Sequence, residues 1–193
     1  MGKGRLEAFS DGVIAILITI MVLEFKTPEG HDWADITALS TKLCAYVLSF
    51  VFLGIYWNNH HHMFCVTKHV TGGILWANLH LLFWLSLVPF ATAWIGESSA
   101  APVPTAVYGA ILLMAGVAFT ILARTIMSAQ GPHSPLRAAF GGDKKGWASV
   151  ALYALAIPIA FVNPWISVAI YTGVATMWLI PDRRIEKHLD QLT

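Results

Sequence analysis

The chain has 193 residues, 56% of them hydrophobic and only 12% charged, with a mean hydropathy of +0.63. Soluble globular domains carry about 25% charged residues, so this composition excludes a water-facing body and points to one polytopic membrane domain. A formal net charge of +1 offers no electrostatic basis for a nucleic-acid partner.

A membrane-crossing helix takes roughly 20 mostly apolar residues. Six segments qualify, at about 5–25, 38–65, 73–95, 104–127, 147–162 and 164–181, which predicts an all-α integral membrane protein. In the first, RLEAFSDGVIAILITIMVLEF, acidic residues precede the apolar run and no small-x-small cleavage site follows it, so it reads as a retained helix. Its apolar half carries two equally plausible stripes at 100° per residue: Ile16, Thr19, Ile20 and Leu23, or Ile14, Leu17, Ile18 and Met21. Its polar half holds Arg5, Glu7, Ser10 and Asp11. Arg5 and Glu7 lie close enough to the interface to snorkel. Asp11 sits about two turns in, where a charge needs water or a partner.

The second segment ends in YWNNHHHMF. Three consecutive histidines diverge by 100° each and cannot share a metal, which needs i, i+3 or i+4 spacing. Cys44 and Cys65 lie on this same segment, about 30 Å apart at ~1.5 Å per residue, and are expected to be free. The third places Trp76, His80 and Trp84 in one line with Asn78 on another face. His80 is expected to be the more deeply buried histidine and to hydrogen-bond Asp11 or Ser10. Pro89 and Pro158 are expected to kink the third and fifth segments, and Asn163-Pro164 to form a tight hairpin before the sixth. The last three segments hold no mid-membrane acid or base. No nucleophile–base constellation, phosphate-binding glycine loop or pair of haem-ligating histidines appears, so neither an enzyme nor a cofactor is expected.

Charge fixes the expected orientation. With the N-terminus inside, Lys3, Arg5, Lys68, Arg124, Arg137, Lys144, Lys145, Arg183, Arg184 and Lys187 are all cytoplasmic, and only Lys26 and Lys42 lie outside. Ten of the twelve basic residues then obey the positive-inside rule, which puts both termini in the cytoplasm.

Arg5-x-x-x-Phe9-Ser10-Asp11 followed by GVIAILITIMVLE resembles the signature that opens the first helix in the transmembrane-protein-175 family. These are the lysosomal and endosomal potassium channels of animals and their bacterial relatives. The six-span layout and the NLHLLFW…PF of the third span extend the resemblance over most of the chain. One six-helix unit, where the animal proteins carry two, looks like a bacterial member of the plasma membrane. The resemblance implies a homotetramer that passes potassium ions passively through a central pore lined by the first helix. By position it makes Ile16 the hydrophobic constriction, Thr19 the threonine linked to potassium preference, and Ile20 and Leu23 further apolar rings. Arg5, Phe9, Ser10 and Asp11, with His80 as the partner suggested by depth, would hold that helix in place. The rival reading is a proton-coupled transporter or proton pathway that uses Asp11 and the histidines.

Overall fold

A computed structural model describes residues 2–131, 134, 136–137 and 144–179. Every element among them is helical: α1 (Lys3–Leu23), α2 (Trp33–Ala38), α3 (Ser40–Cys65), α4 (Gly72–Ser86), α5 (Val88–Glu97), α6 (Pro102–Gln130), α7 (Lys144–Ile159) and α8 (Pro164–Leu179). Helices are what apolar runs of this length must form in lipid, because only a helix satisfies its backbone groups within the segment. Four stretches are long and apolar enough to cross a membrane: Lys3–Leu23, Ser40–Cys65, Gly72–Glu97 and Pro102–Gln130, with Pro164–Leu179 as a shorter apolar helix. Arg183, Arg184 and Lys187, used above for orientation, lie outside the described residues.

The expected second span, 38–65, is α3, preceded by the short helix α2, where the Asp35 carboxylate accepts the Asp32 amide at 3.0 Å. The third, 73–95, divides at Leu87 into α4 and α5. Pro89 falls in the first turn of α5, where a missing N–H costs nothing. Pro158 lies in the last turn of α7, and the chain then reverses through 160–163. There the Asn163 side chain accepts the Trp165 amide at 3.0 Å and caps α8.

The core is built around α6. Its buried face carries Gly109, Ala115, Ala118 and Ala123 among Leu112, Leu122 and Ile126, so neighbouring backbones approach closely. Gly109 leaves the room taken by the Tyr171 hydroxyl, and a β-carbon there would overlap it. Tyr171 donates from that position to the Thr105 carbonyl at 3.1 Å, joining α8 to α6. Thr92 donates to Ser49 at 2.6 Å and Ser49 shares a 2.9 Å hydrogen bond with Tyr108, tying α5, α3 and α6 together. α1 packs against α3, α4 and α5 on one side only.

Candidate ion pathway along the first helix

Both stripes on α1 are apolar, and packing separates them. Ile14 and Met21 are only 1% and 2% exposed, and Leu17 is buried with them against the core of the subunit. On the opposite side Ile16 is 57% and Leu23 78% exposed, with Thr19, Ile20, Gly12, Phe9 and Arg5 also on the open surface. The Thr19 hydroxyl donates back to the Ile16 carbonyl at 2.9 Å and keeps its acceptor lone pairs outward. The face formed by Ile16, Thr19, Ile20 and Leu23 is therefore continuous, mostly apolar and covered by nothing in the described residues of its own chain.

The angular setting of that face is held by polar contacts at the N-terminal half of α1. Ser10 is fully buried; its hydroxyl donates to the Leu6 carbonyl at 2.9 Å and accepts from the Asn78 amide at 2.9 Å. The Asn78 carbonyl meets His60 Nε2 at 2.8 Å, so that nitrogen carries the proton and donates. One amide thus bridges a hydroxyl on α1 to an imidazole on α3, with the His60 ring tilted over Phe64 at 4.5 Å. On the adjoining side Trp57 Nε1 donates to Asp11 Oδ1 at 3.0 Å, and the indole stacks on His61 at 6.3 Å. Lys3 Nζ reaches the Cys65 carbonyl at 3.1 Å, a further tether from α1 to the end of α3.

The expected partnership of His80 with Asp11 or Ser10 is not formed. His80 Nε2 accepts from Trp84 Nε1, one turn further along α4, at 3.0 Å. The reason is azimuth: His80 lies two residues, about 200°, beyond Asn78, and it is Asn78 that faces α1. The more deeply buried histidine is His60, not His80. Asn78, His60 and Trp57 are the residues that depth reasoning missed. An Asn at that depth was the available signal, because its amide offers a donor and an acceptor at once to two neighbours. Arg5 and Phe9 are exposed, and Arg5 makes no ion pair among the described residues. No group of three or more metal-ligating side chains occurs among the described residues.

With this geometry the chain is similar to known channels along most of its length. The family model described as endosomal/lysosomal potassium channel TMEM175 matches residues 5–89. A potassium channel of Chryseobacterium sp. (strain P1-3) is 53% identical over 191 residues, covering 99% of this chain and 100% of that protein. The crystal structure of a lysosomal potassium-selective channel TMEM175 homolog from Chamaesiphon minutus superposes with a TM-score of 0.81 at 29% identity, covering 92% of this chain and 96% of that one. The endosomal/lysosomal proton channel TMEM175 of Bos taurus is 27% identical over 179 residues, which is 83% of this chain and 37% of that protein. The chain belongs to the TMEM175 family.

Proposed function

We propose that the chain is the subunit of a potassium-permeable channel of the plasma membrane, a homotetramer whose central pore is lined by α1 from each copy. The observation that carries this reading is the division of α1: Ile14, Leu17 and Met21 are spent on the core, while Ile16, Thr19, Ile20 and Leu23 stay uncovered. In the tetramer those four form the pore surface. Each chain crosses the membrane six times, counting α7 and α8, with both termini cytoplasmic. Four Ile16 side chains make a narrow apolar ring that gates by dewetting. Thr19 supplies hydroxyl acceptors beside it. Selectivity at such a ring is weaker than in a carbonyl-lined filter, because the ion loses water without gaining strong ligands. Ser10 and Asp11 position the pore helix, through Asn78, His60 and Trp57.

The proton reading has the likeness to the bovine proton channel in its favour. Two features of the geometry argue against a side-chain relay here. Asp11 and His61 are separated by Trp57, whose indole only donates, and Ser10 and His60 by an amide. Potassium flux from proteoliposomes with no proton gradient tests the assignment. Conduction should persist, rise with Ile16→Asn, and be little affected by Val22→Asn, which is also exposed but lies about 120° round α1 from Ile16. If flux required a proton gradient, or if Val22→Asn altered it and Ile16→Asn did not, the pore assignment would fail.

A further inference from the structure

Away from α1, helices α3, α6, α7 and α8 enclose a cleft that the pore reading does not use. Its walls are aromatic: Phe52 meets Tyr153 edge to face at 6.3 Å, and Tyr56 meets Phe119 at 6.1 Å. The space between them is about 50 Å³. Three polar groups in the wall lack a hydrogen-bond partner among the described residues. They are the hydroxyl of Tyr153, a residue only 3% exposed, the hydroxyl of Tyr56, and the side-chain carbonyl of Asn59, whose amide nitrogen is bound to the Ile55 carbonyl at 2.8 Å. Elsewhere in the same core the phenols are paired, Tyr108 with Ser49 at 2.9 Å and Tyr171 with the Thr105 carbonyl at 3.1 Å. The Tyr56 and Tyr153 oxygens open onto the cleft, the buried side-chain polar atom without a partner among the described residues being His62 Nδ1, and a phenol so placed gains from an acceptor in the cleft. The two open donors and one open acceptor suit an oxygen that both accepts and donates, and the aromatic walls suit a ring more than they suit water.

The cleft also lies back to back with the pore-helix clamp. Tyr56 and Asn59 face it, while Trp57 and His60, on the same turn of α3, hold Asp11 and Asn78. We infer that the cleft is a modulatory site for a compact, uncharged, ring-bearing alcohol. Its oxygen accepts from Tyr153 and Tyr56, and its presence changes conduction by shifting the turn of α3 that positions α1. The effect on conduction rests on the pore assignment above; binding does not.

The probe is the trifluoromethyl-diazirinyl derivative of benzyl alcohol, photolysed with the protein in phosphatidylcholine liposomes and mapped by peptide mass spectrometry. Adducts on segments 52–59 and 146–153 should saturate, be competed by excess benzyl alcohol, and fall at least fivefold in Tyr153→Phe. Gly116→Leu should abolish them by filling the space; a β-carbon at Gly116 meets the Tyr56 hydroxyl at 3.8 Å, an ordinary contact. If that variant fails to fold, Tyr153→Phe, which removes one atom, carries the test. Labelling that rises linearly with probe and is equal in Tyr153→Phe reports partition into lipid, or a cleft holding only water, and overturns the site. In the dark, saturating probe should change potassium flux at least threefold in the unmodified channel and less in Tyr153→Phe. Saturable labelling with unchanged flux overturns the modulatory role. Labelling needs no conduction, so its failure is distinct from failure of the pore assignment, which Ile16→Asn tests.

Discussion

Asn78 joins α4 to both α1 and α3, and replacing it with Leu measures what the junction is worth. The substitution keeps the side chain's size and removes both polar ends. His60 Nε2–H then has no acceptor at a buried position, while Ser10 retains its own donation to the Leu6 carbonyl. An unsatisfied buried donor costs about 1–3 kcal/mol, and an interhelical hydrogen bond in a membrane protein averages about 0.6 kcal/mol. The apolar contacts of Leu offset part of this, leaving an expected net loss of about 1–2.5 kcal/mol. Ser10→Ala removes the acceptor for the Asn78 amide together with the hydroxyl's own donation to the Leu6 carbonyl, and should cost about 0.5–1 kcal/mol by the same reasoning. Both variants delete one shared bond, so the double variant should be less destabilised than the sum by about 1 kcal/mol. The assay is reversible unfolding in mixed micelles, followed by tryptophan fluorescence at fixed protein concentration. Potassium flux is measured on the same preparations and should change in both single variants, because α1 is freed to rotate. Additivity within about 0.3 kcal/mol would refute the shared bond and with it the clamp.

Other outcomes follow from the same contacts. Gly109→Ala should destabilise by about 1–3 kcal/mol through overlap with the Tyr171 hydroxyl, and Tyr171→Phe in the same chain should recover part of the loss; thermal unfolding of the three variants decides it. Trp57→Phe removes the donor to Asp11, and Asp11→Asn added to it should change flux little further, whereas independent effects would show that the two residues do not act together. The Lys42–Glu97 pair, 3.2 Å apart with Glu97 exposed and Lys42 half-buried, should contribute less than about 1 kcal/mol, so Glu97→Gln should leave unfolding nearly unchanged; a larger loss would mean the pair is more buried in the assembled channel than in the subunit.

Much of the fold was legible because lipid leaves an apolar chain few alternatives to helix. Pro89 marked the third span as kinked, whereas the short helix α2 ahead of the second span was not legible. The working face of α1 was not legible from its residues. In a soluble helix polarity marks the outward side, but here both stripes are apolar, and only the packing of Ile14 and Met21 tells them apart. The partner of Ser10 was misjudged for a related reason: depth along a helix can be counted from sequence, whereas the rotation that turns Asn78 inward and His80 aside depends on how α4 leans on its neighbours.

The length of α6 bears on the lipid around the channel. Its 29 residues extend to about 43 Å at ~1.5 Å per residue, against a hydrocarbon core of about 30 Å. A helix that outruns the core leans over or carries its ends into the headgroups, and the mismatch costs fractions of a kcal/mol per ångström. Acyl-chain length thereby becomes a variable of the protein itself: shorter chains ask α6, and the helices packed on it, to lean further.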